Sequence, residues 1–165
     1  SFEKVEISYA VEQTPLGTGG GIALAMEKTK EEDILILNGD SFIDFDLKAF
    51  YEFHKSNNST ISFVLKEMIN FERYGSVELK DNKIIAFCEK RFMNKGLINA
   101  GVYLAKRDIF EGLKLGEKFS FEQDYLEKKV MQGLFFGYTT KGYFIDIGIP
   151  EDYNKAQIDF KEIWK

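Results

Sequence analysis

The chain has 165 residues, 44% of them hydrophobic and 15% aromatic, and its formal net charge is −5. The length and composition predict one compact domain and exclude disorder, and the charge excludes a basic nucleic-acid-binding surface. Cys88 is the only cysteine, which excludes an intramolecular disulfide or a zinc site of several cysteines and favours a cytoplasmic location. No segment approaches the ~18 apolar residues of a membrane helix, and residues 1–20 lack the apolar core of a signal peptide, so no membrane partner is expected.

The first third of the chain predicts two strands separated by a glycine-rich turn and a short helix. Residues 5–11 alternate apolar and polar side chains, as a strand with one buried face does. Its apolar members are Val5, Ile7, Tyr9 and Val11. Pro15 ends this strand, and the apolar residues after Gly20 predict a short helix. The apolar run 34–37 predicts a fully buried parallel strand that ends at Asn38-Gly39-Asp40.

The middle of the chain predicts one helix followed by several strands. Asp46 is placed to cap a helix whose apolar positions recur at helical spacing over residues 47–54. Strands are predicted at 60–65, 77–79, 84–88 and 97–104. Asp81 and Asn82 separate two of these strands, which predicts a β-hairpin.

The last third predicts two helices with two short strands between them. Ser120 and Gln123 match a capping box for a helix that runs through Met131, and Gly133 stops it. Strands are predicted at 134–139 and 143–147. Pro150 suits the first position of a final helix.

The order of these elements determines the expected fold class. Strands that alternate with helices predict an α/β fold, here a mostly parallel sheet with helices on both faces and an antiparallel hairpin insertion. We expect a single domain over residues 1–165. In such sheets ligands bind beyond the carboxyl ends of the strands, so polar clusters at those ends are the candidate functional residues.

A glycine-rich segment follows the first predicted strand and reads Leu16-Gly17-Thr18-Gly19-Gly20-Gly21. Bare backbone N–H groups at a helix N-terminus can approach a planar or anionic ligand. The segment lacks the Lys-Ser or Lys-Thr of a P-loop, and Ile22 stands where a dinucleotide-binding loop needs its third glycine. Taken alone, a turn without a ligand explains it about as well as a binding loop.

Two aspartates follow apolar strands, and their chemistry suits a metal ion. Asp40 follows the 34–37 run, and Asp146 follows the apolar residues 143–145. Two carboxylates that converge from separate strands suit Mg²⁺, which takes one or two carboxylates together with water and substrate phosphates. Each aspartate alone could equally end a strand or cap a turn. Together with the glycine-rich segment they favour a metal–nucleotide site.

Five segments, in order, resemble the sugar-1-phosphate nucleotidylyltransferases across nearly the whole chain. They are Glu12–Gly20, Asn38-Gly39-Asp40, Tyr74-Gly75 with Glu89-Lys90, Asn99-Ala100-Gly101, and Asp146–Tyr153. The closest resemblance within the family is to the heptose 1-phosphate guanylyltransferases, on Pro15–Gly20, Arg73-Tyr74-Gly75, Gly96–Asn99 and Lys118–Glu122. The resemblance implies the Rossmann-like nucleotide-diphospho-sugar transferase fold.

The resemblance also implies a reaction and assigns residues to it. A nucleotidyl group, GMP from GTP, would pass to a heptose 1-phosphate with Mg²⁺ as cofactor, giving a GDP-sugar and pyrophosphate. The implied catalytic residues are Asp40, Asp146 and Lys90, of which Asp40 and Asp146 would hold the metal. The implied nucleotide-binding residues are Glu12, Leu16, Gly17, Thr18, Gly19 and Gly20. The implied sugar-phosphate-binding residues are Arg73, Tyr74, Gly75, Glu89, Asn99 and Gly101.

Two departures from the family pattern leave alternatives open. The Gly-x-Gly-Thr-Arg and Pro-Lys-Pro segments that hold the triphosphate are absent from these residues, and we expect them on a βαβ portion before Ser1. Ile149 stands where the family has a threonine that could cap the last helix. A mannose or glucose 1-phosphate nucleotidylyltransferase and a non-catalytic nucleotide-sugar-binding regulatory homologue are the alternatives, and a homo-oligomer is compatible with the sequence.

Several candidate residues also have ordinary structural explanations. Lys90 could belong to a solvated strand edge, Tyr74 could pack in the core, and Glu122 could stabilise a helix start. Arg73 and Glu122 stay undecided at this point. His54 lies on a regular amphipathic helix without a neighbouring nucleophile or ligand, so we predict packing for it, and a structural role for Cys88.

Overall fold

The computed structural model describes residues 6–114 and 116–163. The helices are α1 (Gly17–Met26), α2 (Leu47–Ser56), a π-helical turn (Phe121–Leu126) that continues into α3 (Glu127–Lys129), and α4 (Pro150–Ile163). The strands are β1 (Asp33–Leu37), β2 (Ser41–Ile43), β3 (Ile61–Phe71), β4 (Ser76–Lys80), β5 (Lys83–Cys88), β6 (Met93–Lys106), β7 (Phe135–Thr140) and β8 (Phe144–Asp146). None of the described helices is long and apolar enough to cross a membrane.

Six strands form the main sheet in the order β1-β6-β3-β7-β5-β4, and β2 pairs with β8 in a separate small ladder. Both β1 and β3 are antiparallel to β6, and β7 is parallel to β3. Strands β1, β3 and β7 therefore run in one direction, and β6, which lies between β1 and β3, runs in the opposite direction. The predicted α/β class and the antiparallel hairpin, formed by β4 and β5, are confirmed.

Strand β1 differs from its prediction as a fully buried parallel strand. It pairs antiparallel with β6 and lies at the edge of the sheet. Its side chains alternate, because Ile34 and Ile36 pack against the core while Leu35 and Leu37 are 38% and 59% exposed. A short apolar run gives no information about the direction of a partner that lies some 65 residues later in the chain, and that explains the error.

The predicted first strand, over residues 5–11, is also wrong where it can be compared. Val5 lies outside the described residues, and residues 6–12 form no regular secondary structure. Ile7, Tyr9 and Val11 are 52%, 79% and 69% exposed. A strand needs a partner for its backbone N–H and C=O groups, and in the described parts of the chain no strand pairs with this segment.

Two apolar clusters lie on opposite faces of the sheet, because successive side chains of a strand point to opposite sides. Phe63 of β3 packs with Tyr103, Phe121 and Phe135 on the face that α1 and the π-helical turn cover. Val64, the next residue, packs with Phe50 on the face covered by α2. Full burial of such side chains contributes about 1.5–3 kcal/mol each. The prediction of helices on both faces is thus confirmed.

The predicted helix starts and hairpin turn are largely confirmed. Asp46 caps α2, since its Oδ1 accepts a hydrogen bond from Ala49 N at 2.9 Å. Ser120 Oγ likewise accepts from Gln123 N at 3.1 Å, although the reciprocal bond runs from Ser120 N to the Asp124 carboxylate and not to Gln123. Asp81 and Asn82 both have positive φ, at 50° and 62°, which is the geometry of a two-residue hairpin turn.

His54 is buried within the fold, as its predicted packing role requires. Its side chain is fully buried, with Nδ1 2.9 Å from Ser62 Oγ and Nε2 3.5 Å from Asp33 Oδ1. Burial lowers the pKa of His54, and the neighbouring Asp33 carboxylate opposes this shift. The neutral ring therefore joins α2 to β1 and β3.

Candidate active site

Of the two aspartates that the sequence selects, Asp146 lies in the small ladder formed by β2 and β8, and Asp40 immediately precedes β2. Ser41 is directly opposite Asp146, and the backbone N of Ile147 donates to the carbonyl oxygen of Asp40 at 2.9 Å. The Asp146 carboxylate accepts a hydrogen bond from Gly148 N at 2.8 Å, which orients its Oδ1. The backbone positions of the two aspartates are thus neighbours at the end of the ladder.

A cation held at this point would be completed by groups other than acidic side chains. Among the described residues, no group of three or more His, Cys, Asp or Glu side chains is arranged to hold a metal. Mg²⁺ keeps several waters and takes substrate phosphate oxygens, so two carboxylates are sufficient protein ligands for it. Two carboxylates are too few for a zinc site built from protein side chains alone, and they suit a hard divalent cation that also takes water and phosphate oxygens.

The glycine-rich segment is the beginning of a helix and not a free turn. Helix α1 starts at Gly17, which has a positive φ of 73°. The backbone N of Leu16, the residue before Gly17, donates a hydrogen bond to the Glu12 carboxylate at 2.9 Å. Glu12, which is predicted to bind the nucleotide, therefore lies at the N-terminus of α1. Gly19 N donates to the carbonyl oxygen of Phe119 at 3.0 Å. The α1 start is thereby fixed to a segment a hundred residues later.

The side chain of Thr18 is used within the protein. Its Oγ1 accepts a hydrogen bond from Phe121 N at 2.8 Å and donates to Glu122 Oε2 at 2.9 Å. Glu122, undecided from the sequence, therefore contacts a residue predicted to bind the nucleotide. The hydroxyl of Thr18 holds two protein groups, which leaves its backbone as the part that can face a ligand.

A groove of about 440 Å³ lies between α1 and β1. Glu12, Gly17 and Thr18 line one side, and the backbone and side chains of residues 34–38 line the other. Asn38 comes two residues before Asp40. The structure therefore brings the predicted nucleotide-binding segment to the strand that leads into the predicted metal site.

The segments predicted to bind the sugar phosphate meet at the start of β4. Ser76 pairs with both Cys88 at the end of β5 and Ile98 in β6. Gly75 lies so close to Cys88 that a Cβ added to Gly75 would be 2.9 Å from the Cys88 carbonyl oxygen. The residues that precede Ser76, follow Cys88 and follow Ile98 are consequently neighbours. These are the predicted residues Arg73, Tyr74, Gly75, Glu89, Lys90 and Asn99.

A second cavity, of about 400 Å³, connects part of this group to Asp146. Arg73 and Tyr74 line it together with Asp146, Asp152 and Lys155. Arg73 forms an ion pair with Asp152 at 2.6 Å, and this hydrogen bond raises the pKa of Arg73 above its usual value. The guanidinium also lies 5.5 Å from the centre of the Tyr74 ring. Arg73 is therefore attached to the helix that follows the second aspartate.

Asn99 and Gly101 connect the segments predicted to bind the sugar phosphate to the segment predicted to bind the metal. The Asn99 amide donates to the Tyr103 hydroxyl at 2.8 Å, and its oxygen accepts from Gly101 N at 3.1 Å. Gly101 has a φ of 76°, and a Cβ on it would be 2.7 Å from Asn38 Nδ2. Asn38 N also donates to the Gly101 carbonyl at 2.8 Å. Only glycine fits here, since both the space and the backbone angle exclude a side chain.

Some of the predicted residues are connected to the site only indirectly. Glu89 and Lys90 are exposed beyond the end of β5, and they reach the site through the pairing of their strand. Sequence reasoning missed Phe119, which supports the glycine-rich helix start, because no local signal connects residues a hundred positions apart. It also missed Asp152 as the partner of Arg73, although Asp152 belongs to the recognised segment that begins at Asp146.

Comparisons with known proteins agree with this geometry. The family described as Nucleotidyl transferase matches residues 1–162. The D-glycero-alpha-D-manno-heptose 1-phosphate guanylyltransferase of Aneurinibacillus thermoaerophilus is 50% identical over 156 residues, which cover 94% of this chain and 68% of that protein. The protein of the same name from Campylobacter jejuni is 43% identical, with 92% and 66% covered.

A solved structure also resembles this chain in sequence and in fold. HddC from Yersinia pseudotuberculosis superposes with a TM-score of 0.80 at 39% identity, covering 90% of this chain and 64% of that one, and it has also been solved complexed with GMP-PN. The chain thus spans about two thirds of the length of these relatives. These likenesses confirm the nucleotidyltransferase fold and the sequence resemblance. The chain belongs to the nucleotidyl transferase family.

Proposed function

We propose that the full-length protein transfers GMP from GTP to D-glycero-D-manno-heptose 1-phosphate, giving a GDP-heptose and pyrophosphate. The observation that supports this proposal is the adjacency of the backbone at Asp146 and at Asp40, which comes two residues after Asn38, the last residue that lines the groove at α1. The names of the two similar relatives supply the substrates, and the complex of HddC with GMP-PN supports guanine as the base.

The nucleotide would lie in the groove between α1 and β1. Gly17 and Thr18 at the start of α1 line this groove, and the Glu12 carboxylate beside them can accept hydrogen bonds from N1–H and N2–H of guanine. Uracil and thymine do not offer this pair of donors. The chain therefore binds and orients the base through one carboxylate and main-chain groups.

Magnesium would be held by Asp40 and Asp146. Their neighbouring backbone positions at the end of the ladder and their hard oxygen donors fit this ion. When bound there, it would offset negative charge on the α-phosphate of the nucleotide.

The sugar 1-phosphate would bind on the β4 side of the site. Lys90 would bind its phosphate as a point charge, with Arg73 as a second cation. Glu89, Asn99 and the backbone of Gly75 and Gly101 would take the sugar hydroxyls, with Tyr74 packed against the sugar. A phosphate oxygen of the sugar 1-phosphate then attacks the α-phosphorus, the bond from that phosphorus to the bridging oxygen breaks, and pyrophosphate leaves. The residues act by orienting the two substrates in line.

Asp146→Asn in the full-length protein tests this site. The change removes one negative charge but keeps an oxygen that can accept from Gly148 N, so the protein should stay folded. We expect pyrophosphate release to fall by at least about 100-fold, since a metal-stabilised charge contributes several kcal/mol. Asp108→Asn, on the exposed turn after β6, is the matched control and should keep its activity. Retained turnover in Asp146→Asn would remove this residue from the metal site.

A substrate panel tests the identity of the base and the sugar. Pyrophosphate release should be measured with GTP, UTP and dTTP against heptose, mannose and glucose 1-phosphates. Preference for UTP or dTTP would contradict guanine, and preference for mannose 1-phosphate would identify a sibling enzyme. Absence of turnover with every pair would favour a regulatory homologue. We place the enzyme in the cytoplasm, where its nucleoside triphosphate substrate is made.

A further inference from the structure

The nucleotide-binding segment is held by a side-chain bridge to the π-helical turn. The Thr18 hydroxyl donates to Glu122 Oε2 at 2.9 Å and accepts from Phe121 N at 2.8 Å. Glu122 Oε2 also lies 3.3 Å from Ser120 Oγ, which donates to it. One carboxylate oxygen therefore accepts from two hydroxyls, one on α1 and one at the cap of the π-helical turn.

The backbone at Gly17 and Gly19, beside this bridge, packs closely against Phe119. A Cβ added at Gly17 would be 2.6 Å from the Phe119 carbonyl oxygen, and one at Gly19 would be 2.1 Å from the Phe119 ring. Main-chain hydrogen bonds run in both directions, from Gly19 N to Phe119 O and from Phe119 N to Leu16 O, each at 3.0 Å. The segment around Phe119 is thus one support for the backbone of residues 16–19, and the Thr18–Glu122 bridge is the other.

The π-helical turn sets the place of Glu122. π-helical turns are closed by i→i+5 hydrogen bonds in place of the i→i+4 bonds of an α-helix, and they occur often at functional sites. Here the turn begins at Phe121, whose N–H is free to bond with Thr18 because the first N–H groups of a helix have no intrahelical partner. The side chain of Glu122 then points back toward α1. Burial raises the pKa of Tyr103, and the negative charge of Glu122 raises it further. The Tyr103 hydroxyl accepts a hydrogen bond from the Asn99 amide.

We propose that Thr18 and Glu122 form a positioning bridge for the nucleotide, and that Glu122 acts through Thr18 without touching the substrate. The inference rests on the proposed function, because it assigns the bridge to the nucleotide side of that site. The bridge fixes the start of α1, whose main-chain groups meet the base. Its loss should therefore weaken nucleotide binding and leave the sugar phosphate and the chemical step nearly unchanged.

The test is steady-state kinetics on the full-length enzyme with Thr18→Val, Thr18→Ser, Glu122→Gln and the Thr18→Val/Glu122→Gln double variant. Thr18→Val keeps the shape but removes the hydroxyl, and we expect KM for GTP to rise roughly fivefold, as the loss of one net hydrogen bond implies. Changes in kcat and in KM for the sugar phosphate should stay within about twofold. Thr18→Ser keeps the hydroxyl and should restore the KM for GTP. Glu127→Gln, an exposed glutamate on α3, is the matched control.

The double variant gives the sharper result. If the two side chains act as one bridge, the double variant should raise KM for GTP no more than the worse single variant does. Additive effects, or equal losses in kcat and both KM values, would overturn the proposal. Amide hydrogen exchange without substrate separates this inference from the proposed function. Residues 16–20 should exchange faster in Thr18→Val and not in Thr18→Ser, whichever nucleotide the enzyme uses, and unchanged exchange in Thr18→Val would also overturn the proposal.

Discussion

Gly20 and Gly21 look equivalent in the sequence, but the structure predicts opposite effects of alanine at the two positions. Both lie inside α1, where alanine is intrinsically better than glycine by about 1 kcal/mol. A Cβ at Gly20 would be 2.4 Å from the carbonyl oxygen of Glu117 and 2.7 Å from Leu16 Cβ. These distances require the backbone to move. Such overpacking costs about 1–3 kcal/mol, so Gly20→Ala should be neutral to destabilising by roughly 2 kcal/mol.

A Cβ at Gly21 would be 2.6 Å from Glu12 Oε1, which ends a flexible side chain. Moving this carboxylate strains its hydrogen bond from Leu16 N, so Gly21→Ala should keep part of the gain of about 1 kcal/mol. The assay is thermal unfolding of the two variants and the wild type. Because each kcal/mol of unfolding free energy shifts the melting temperature by about 2–4 °C, Gly21→Ala should melt several degrees above Gly20→Ala. Equal or reversed melting temperatures would refute the packing of α1 on the segment at Glu117.

Two further predictions concern stability. Burial lowers the pKa of His54 below its ordinary value of 6.5, although the Asp33 carboxylate opposes this shift. The unfolded chain therefore binds a proton more readily than the folded protein does. The free energy of unfolding should therefore fall as the pH drops below about 6.5, and His54→Gln should flatten that fall in urea titrations at several pH values. Asp46→Ala removes the acceptor of Ala49 N and should cost about 1 kcal/mol at neutral pH in the same assay; an unchanged urea midpoint would contradict the cap.

The elements that the sequence predicted correctly depend on short-range signals. Asp46 lies three residues from the N–H that it caps, and Asp81 with Asn82 forms a turn between strands that are adjacent in sequence. Pro150 begins α4 because its fixed φ suits the first helical position. In each case the deciding contact lies within a few residues, so the pattern alone was sufficient.

The errors have a common physical cause, which is the dependence of a strand on a distant partner. The run 34–37 is apolar in either direction, and its antiparallel pairing follows from β6, whose partner residues begin at Val102. Residues 7–11 alternate like a strand, but alternation describes one face and does not supply a partner. Thr18 belongs to the segment predicted to bind the nucleotide, but its bond to Glu122 spans 104 positions and leaves no local signal in the sequence.

The antiparallel insertion of β6 explains how separate sequence segments meet at one site. Because β6 lies between β1 and β3, its bend at Gly101 comes against Asn38, at the end of the strand that leads to Asp40. The same strand carries Asn99 and pairs with the start of β4, where the segment 73–75 ends. A parallel strand in this position would present its opposite end to Asn38 and would carry Asn99 away from it. The direction of β6, which no local pattern predicts, therefore places the segments predicted to bind the sugar phosphate next to the segment predicted to bind the metal.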